Sequence, residues 1–262
     1  MSKKQIIAGR KGRQTGLDFE DIVKSERGGF KPEDKKDIFG ERITTCKTDI
    51  KVGNNNFSIK NPKTPSSSLQ IQVCSAKRFY RLFNMPKEVK LAFDQFLGNH
   101  PDFYKGKEYK NIFESVCKEE WKKDLKTLHA DREIRRNRLL FQNIDNGPQM
   151  LAWLEKNIKK IAVFVFKTSF NNPKYKDAIA NKMLWTQKKS DYASLVEVDI
   201  DDMIENICLK STVKVRDSKK HGQSVIEIGP LTLQMKGSGK SGAAYHCMQF
   251  NTSYKDLKKY IK

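Results

Sequence analysis

Residues 47–63 read KTDIKVGNNNFSIKNPK, two short β-type runs separated by a polar segment of Gly and Asn. Because Gly and Asn tolerate the positive φ values of tight turns, the stretch predicts an antiparallel hairpin with residues 53–56 as its loop. This loop pairs Ile50 with Ile59 and places Asp49 opposite Lys60. The apolar side chains then share one face of the hairpin. The polar side chains share the other face, namely Asp49, Lys51, Ser58 and Lys60.

Two interpretations of the opposed Asp49 and Lys60 are open. An exposed Asp–Lys pair on a sheet is common and contributes under about 1 kcal/mol to stability. The alternative is a site for phosphodiester cleavage, because a carboxylate can hold Mg²⁺ against phosphate oxygens while a lysine stabilises developing charge or orients water. Mg²⁺ prefers one or two carboxylates plus carbonyl, substrate and water oxygens, so a main-chain carbonyl and a second acid elsewhere would suit such a site.

The charge of the chain favours a polyanionic partner. Its 262 residues include 51 Lys plus Arg against 31 Asp plus Glu, a formal net charge of +20. Such an excess attracts phosphate backbones, so the composition predicts binding to nucleic acid. An anionic membrane surface fits less well, because no strongly amphipathic basic helix with a broad apolar face is evident in the sequence.

Composition argues against several other classes. No apolar run approaches the roughly 20 residues of a membrane span, and the basic N-terminus lacks the apolar stretch of a signal peptide. We therefore expect a soluble cytoplasmic protein with no membrane partner. The five cysteines are scattered and none forms a C-x-x-C motif, which predicts neither a disulfide framework nor a zinc ribbon.

Hydrophobic patterning predicts an α/β fold, with a central mixed β-sheet flanked by helices and a β-rich C-terminal third. The apolar spacing of Phe19, Ile22 and Val23 predicts a helix over residues 15–26 with a Thr or Asp cap. Further helices are predicted at 86–98, 108–128, 148–160, 200–209 and 253–262. Strands are predicted at 69–73, 161–167, 182–188, 194–199, 212–216, 224–229, 231–237 and 244–251.

The run KTDIKV followed by FSIKNPK resembles the active-site hairpin of the PD-(D/E)XK nuclease superfamily, in particular the small type II restriction endonucleases that cut CG-containing four-base sites. Those enzymes carry a Lys-Ser/Thr-Asp run and then a residue-X-Lys motif, whose first position is Asn or Gln in several members. By this resemblance Asp49 is the metal-binding aspartate and Lys60 the catalytic lysine. Ser58 occupies the variable position, where a serine is a weaker metal ligand than Glu.

Two further stretches carry the same resemblance. GLDFEDIV at 16–23 resembles the helix that begins this fold, where an acid often completes the metal site, and Glu20 is the candidate. A solvated helix glutamate is the alternative. The segment GPLTLQMKGSGKSGAAYHCMQF at 229–250 resembles the closing segment that helps to read bases. The resemblance thus implies a restriction-endonuclease-like core and an Mg²⁺ ion held by Asp49, the Ile59 carbonyl and Glu20.

Candidate DNA-binding residues follow from the chemistry of the grooves. Arg and Lys favour guanine, and Asn and Gln favour adenine. The candidates for base contacts are Gln234, Lys236 and Gln249 in the closing segment, with Gln70 and Gln72 just beyond the hairpin. Lys240 is a further DNA-binding candidate, because the Gly/Ser-rich GSGKSG around it lets the backbone approach DNA closely. The segment REIRRNR at 132–138 suits phosphate contacts through Arg132, Arg135 and Arg136. A solvated β-hairpin and a solvated basic helix face are the alternative interpretations.

The sequence and its resemblance together predict a Mg²⁺-dependent type II restriction endonuclease that cleaves double-stranded DNA at a short palindrome. A DNA methyltransferase of the same specificity would accompany it, and it would act as a monomer or dimer on DNA. Residues 1–262 are expected to form a single nuclease domain, with a catalytic core at 1–80, a helical region at 81–160 and a β-rich region at 161–262. Two alternatives stay open, a repair or recombination nuclease of the same fold and a basic nucleic-acid-binding protein without catalysis.

Overall fold

The computed structural model describes residues 3–31, 38, 46–97, 144–171, 174–217, 224–235 and 247–261. The helices of these segments are α1 (Lys3–Arg27), α2 (Ala76–Leu82), α3 (Lys87–Phe96), α4 (Gly147–Lys156), α5 (Ile158–Ala162), α6 (Ile200–Lys210) and α7 (Tyr254–Leu257). The strands are β1 (Ile50–Val52), β2 (Asn55–Lys60), β3 (Leu69–Ser75), β4 (Lys182–Thr186), β5 (Leu195–Asp199), β6 (Val213–Asp217), β7 (Ser224–Ile228), β8 (Leu231–Met235) and β9 (Cys247–Thr252).

The described strands form two sheets, which confirms the predicted α/β class and the β-rich C-terminal third. One sheet has four strands in the order β1-β2-β4-β5, and the other has five in the order β3-β9-β8-β7-β6. In the first sheet β2 pairs with β4 in parallel, whereas β1–β2 and β4–β5 are antiparallel. This sheet is therefore mixed, as the sequence predicts. Among the described residues, no helix is long and apolar enough to cross a membrane.

The chain divides into two compact units. One comprises residues 1–72, 157–211 and 251–262, and the other comprises residues 73–156 and 212–250. The first unit contains the four-stranded sheet with α1, α5 and α6. The second contains α2, α3 and α4, whose Phe79, Phe93 and Trp153 pack edge to face. The expectation of a single nuclease domain stays a prediction.

Helix α1 packs on the four-stranded sheet through the apolar stripe that the sequence predicts. Phe19 and Val23 are fully buried in one cluster with residues of β1, β2 and β4: Ile50, Phe57, Ile59 and Leu184. Ile22, the third residue of the predicted stripe, is 45% exposed. The helix begins at Lys3 rather than near residue 15, so the predicted Thr or Asp cap is wrong. Asp18 instead accepts a hydrogen bond from the Gln14 side chain on the helix surface.

The end of α1 fixes this helix against the hairpin. Gly28 has φ +65°, its N–H donates to the Ser25 carbonyl, and the Gly29 N–H donates to the Lys24 carbonyl at 3.0 Å. This pair of bonds is the Schellman arrangement that ends many helices. Phe30 then exchanges two backbone hydrogen bonds with Lys51 of β1, so the helix end and the first strand are directly joined.

Gly29→Ala is expected to destabilise the protein by about 1–3 kcal/mol, the usual cost of overpacking. A Cβ atom at this position would lie 2.8 Å from the Val52 side chain and 2.9 Å from the Lys51 carbonyl oxygen, and the latter belongs to a paired strand. Gly16→Ala is the matched control, since nothing lies within 4 Å of a Cβ atom there. We expect Gly16→Ala to stabilise by roughly 0.5–1 kcal/mol through helix propensity. Urea unfolding measures both, and equal stabilities would contradict this packing.

One predicted strand is wrong. Residues 161–167 are helical, because α5 continues as a π-helical turn over Val163–Thr168. Phe164, Val165 and Phe166 are all buried there. A short, continuously apolar run has no periodicity that distinguishes a buried strand from a buried helix, which explains the error.

The other predicted elements within the described residues are confirmed, with shifted ends. The predicted helix at 148–160 forms α4 and α5, with a break at Asn157, and the predicted helix at 253–262 shortens to α7 followed by a 3₁₀ turn. The helices at 86–98 and 200–209 and the remaining strands match α3, α6 and β3 to β9. The predicted helix at 108–128 lies outside the described residues.

Candidate active site

The β1–β2 hairpin is tighter than the sequence predicts. Ile50 pairs with Phe57 and Val52 with Asn55, so the turn is formed by Gly53 and Asn54 alone. Gly53 has φ +56°, and a glycine in the first position of a two-residue turn is a favoured hairpin connection. The predicted pairing of Ile50 with Ile59 is therefore wrong by two residues. Because an even shift keeps every side chain on its face, the predicted segregation of polar and apolar residues survives.

The Asp49 carboxylate is held by the next strand. Its Oδ2 accepts the Ile59 N–H at 2.6 Å, lies 3.4 Å from the Ser58 hydroxyl and 3.7 Å from Lys60 Nζ. The Asp49 backbone N–H donates to the Phe57 carbonyl, which sets the carboxylate beside residues 58–60. Asp49 and Lys60 are thus neighbours, although they are not paired directly across the hairpin. Both side chains are mostly buried, with 23% and 18% exposed.

The Ile59 carbonyl faces the same side of β2. Residues two apart on a strand direct their main-chain N–H and C=O groups toward the same neighbouring strand. The Phe57 carbonyl accepts the Asp49 N–H, and the Ile59 N–H donates to the Asp49 carboxylate, so both residues direct these groups toward Asp49. The Ile59 oxygen there accepts a hydrogen bond from Lys60 Nζ at 3.1 Å. The main-chain oxygen proposed from the resemblance therefore lies beside the carboxylate.

Ser58 holds the lysine. Lys60 Nζ donates to Ser58 Oγ at 2.7 Å, and this serine is 2% exposed. The hydroxyl can in turn donate to Asp49 Oδ2, so Ser58 bridges the two charged groups. These contacts give the serine a positioning role at the place where the resemblance expects an acid.

Glu20 of α1 belongs to the same electrostatic environment. The pKa of its carboxyl is raised from 4.5 to about 7, first by burial and then by the negative charge of Asp49, while Lys31 and Lys60 oppose the shift. Lys31 Nζ lies 3.6 Å from Glu20 and 2.9 Å from Asp21. The structure therefore brings Glu20 close enough to Asp49 and Lys60 for their charges to interact.

The oxygen donors at this point suit a hard divalent cation. Two carboxylates and one carbonyl, from Asp49, Glu20 and Ile59, match the ligand chemistry of Mg²⁺. Burial and the charge of Asp49 raise the pKa of Glu20 because both disfavour its ionised form, and a bound cation would favour that form. In the described segments no group of three or more His, Cys, Asp and Glu is arranged to hold a metal ion. Water and substrate oxygens would complete the coordination, as is usual for Mg²⁺.

Glu20→Gln is expected to flatten the pH dependence of stability in metal-free protein. The pKa of the Glu20 carboxyl is about 7 in the folded protein and 4.5 ordinarily. Between these pH values the folded chain binds more protons than the unfolded chain, so the free energy of unfolding falls as pH rises. The Glu20 side chain is 23% exposed, and above about pH 7 its ionised carboxylate lowers the free energy of unfolding by about 1–3 kcal/mol. The variant should therefore be more stable than wild type at about pH 8 and equal to it near pH 4.

Urea unfolding in the presence of a chelator measures this difference. Glu26→Gln is the matched control, because Glu26 is an exposed glutamate of the same helix. The control should keep the wild-type pH dependence. A Glu20→Gln variant that also keeps it would contradict the burial of this carboxyl beside Asp49.

The structure places some of the predicted DNA-binding residues. Gln234 and Gln249 are half-buried on the neighbouring strands β8 and β9. On β3, Gln70 is exposed and Gln72 half-buried. Their base contacts stay predictions. The other candidates lie outside the described residues: Lys236, Lys240, Arg132, Arg135 and Arg136.

Sequence reasoning missed Lys31, which contacts Glu20 and Asp21. It follows the two glycines that end α1, where the chain reverses and pairs with β1. The pair Gly28–Gly29 is a helix-stop signal that predicts such a reversal. It does not predict which side chain returns toward the helix, so no sequence signal identifies Lys31.

No protein-family model matches the chain, and no curated protein matches it in sequence. The chain is similar to restriction endonuclease MspI in complex with its cognate DNA, with a TM-score of 0.44 and 13% identity. The match covers 85% of this chain and 69% of that chain. The assignment of the site rests on the contacts described above.

Proposed function

We propose that the protein is a Mg²⁺-dependent endonuclease that hydrolyses phosphodiester bonds of double-stranded DNA. The observation that carries this proposal is the contact of both Asp49 and Lys60 with the Ile59 main chain, at a point where their charges also interact with Glu20. An ordinary surface ion pair would not need a buried serine beneath it or a second, destabilised carboxyl beside it. The net charge of +20 suits a DNA substrate.

Each residue has a defined task in this proposal. Asp49 and Glu20, with the Ile59 carbonyl, would hold the metal. When bound, Mg²⁺ supplies positive charge against the phosphate oxygens, where negative charge builds in the transition state. Lys60, oriented by Ser58 and the Ile59 oxygen, donates a hydrogen bond to the attacking water or to a phosphate oxygen. Attack by water on phosphorus breaks one P–O bond of the backbone and leaves a phosphate monoester and a hydroxyl group.

We further propose that cleavage is of the type II restriction kind, at a short palindromic site protected by a methyltransferase of the same specificity. This finer proposal rests on the resemblance of residues 47–63, 16–23 and 229–250. Among the described residues, the candidates for base contacts are Gln234, Gln249, Gln70 and Gln72.

Incubation of the purified protein with unmethylated supercoiled plasmid and Mg²⁺ tests the proposal. Discrete fragments that disappear when the chelator EDTA is added support a restriction endonuclease. A smear, or cutting of branched DNA alone, supports a repair or recombination nuclease. Intact plasmid together with salt-sensitive binding would overturn the nuclease proposal and favour a DNA-binding protein without catalysis.

A further inference from the structure

Two loops leave the four-stranded sheet at the edge beside Lys60. Strands β2 and β4 are parallel, and Lys60 pairs with Trp185 near the ends of both strands. Parallel strands that are in register end at the same edge of a sheet. Residues 61–68 and residues 187–191 therefore emerge next to each other, immediately after the proposed catalytic lysine.

Asn61 ties the two loops together. Its Oδ1 accepts the Ser190 N–H at 2.8 Å and the Thr186 hydroxyl at 3.3 Å, and its Nδ2 donates to Ser190 Oγ at 3.2 Å. Both side-chain ends of Asn61 are thus engaged with the β4–β5 connection. The residue that follows Lys60 consequently sets the position of the neighbouring loop.

The β4–β5 connection is itself well fixed. The Asp191 N–H donates to the Lys188 carbonyl at 3.1 Å, which closes a turn with Lys189 and Ser190 at its centre. Ser190 has φ +56°, a left-handed conformation that a serine adopts only when its surroundings hold it there. The Lys188 N–H also donates to Ser194 Oγ at 3.0 Å. This turn therefore presents its lysines from a defined position.

The lysines of these loops have no charge partner among the residues that the structure describes. Lys63, Lys188 and Lys189 are exposed, and within the described part of the chain no carboxylate pairs with any of them. Other lysines of the same unit are paired, as in Lys167 with Asp201 and Lys182 with Asp199. We call Lys63, Lys188 and Lys189 the edge lysines.

We propose that the edge lysines bind backbone phosphates of the DNA strand that flank the scissile phosphate, and that Asn61 is the positioning residue that aligns them. Lys188 and Lys63 lie three residues beyond Trp185 and Lys60, at most about 10 Å along the chain. Successive phosphates of one strand rise roughly 3.4 Å along the duplex, so flanking phosphates lie within this reach. The inference rests on the proposed function for the location of the scissile phosphate.

Salt-dependent binding to a DNA duplex tests the inference. The variant Lys188→Gln/Lys189→Gln is compared with Lys160→Gln/Lys210→Gln, which removes the same two charges from exposed positions on α5 and α6. Binding is measured in EDTA over a range of salt concentrations. For the edge variant we expect the slope of log K against log salt to fall in magnitude by roughly 2, and affinity to drop roughly 10- to 60-fold at about 0.1 M salt. The control pair should keep the wild-type slope.

Asn61→Ala gives a second readout that does not change the charge. It should lose part of the same slope, because the turn that carries Lys188 and Lys189 is released from β2. Equal slopes for the edge variant and its control would overturn the inference. It would also be overturned if the edge variant lost binding to anionic vesicles but kept its binding to DNA. Because binding is measured without Mg²⁺, absence of plasmid cleavage would contradict the proposed function alone.

Discussion

Asp49→Asn is expected to lower the rate of plasmid cleavage by about 10³-fold or more, since a metal ion contributes several kcal/mol of charge stabilisation in the transition state. The variant keeps an oxygen that can accept the Ile59 N–H, the 2.6 Å contact that orients the wild-type carboxylate. The hairpin should therefore fold as before. What is lost is the negative charge that, in the proposed site, would hold the cation beside Glu20 and the Ile59 carbonyl.

Asp177→Asn is the matched control for this prediction. Asp177, in the 3₁₀ turn Lys176–Ala178, pairs with Lys51 of the same hairpin, and about half of its side chain is exposed. Its loss should leave cleavage unchanged and alter stability by under about 1 kcal/mol. The initial rate of supercoiled plasmid loss, with Mg²⁺ in excess, compares the two variants.

The same assay separates the two interpretations of the Asp49–Lys60 pair. If Asp49→Asn cleaves DNA at the rate of Asp177→Asn, the pair is a structural ion pair and any nuclease site lies elsewhere. If only Asp49→Asn is inactive while both variants bind DNA in EDTA equally, the carboxylate acts in the chemical step. Duplex binding is therefore measured alongside cleavage.

The residues of the candidate site could be predicted from the sequence better than their pairing. The alternation of polar and apolar residues placed Asp49 and Lys60 on one face, and the helical stripe placed Glu20 on a helix next to a buried Phe19. The register was wrong, because the sequence GNNN allows several turn lengths and the alternation of polar and apolar residues does not distinguish lengths that differ by two. An even shift preserved the site despite that error.

Other features depend on contacts that no local pattern encodes. Asn61 meets Ser190 across 129 positions of sequence, and Lys31 reaches Glu20 only because the chain reverses at Gly28. The apolar run at 161–167 fits a buried strand and a buried helix equally well. Tertiary packing decides each of these cases.

Ser58 shows how the structure changes the interpretation of a residue. The resemblance places it where an acid is usual, and the sequence leaves its role open. In the structure its hydroxyl is buried and lies 2.7 Å from Lys60 Nζ. The serine therefore orients the lysine, and in the proposed site Glu20 of the helix would be the second acid.

Lys60→Gln is expected to lower kcat for cleavage by roughly 10²- to 10³-fold, the cost of losing one preorganised donor to the developing charge. Lys60→Arg should not restore activity. The ammonium fits between Ser58 Oγ and the Ile59 carbonyl with only 18% of the side chain exposed, and a planar guanidinium cannot reproduce that geometry. Single-turnover cleavage at saturating DNA and Mg²⁺ measures the chemical step.

Ser58→Ala completes this prediction, because it leaves the charge of Lys60 in place and removes one of the bonds that orient it. We expect kcat to fall about tenfold, the equivalent of one hydrogen bond to a charged group, with the KM for DNA unchanged. A serine that merely packed would change stability but not kcat at temperatures well below unfolding. Full activity in Ser58→Ala together with an inactive Lys60→Gln would mean that the lysine acts without the serine, and that the 2.7 Å contact is structural.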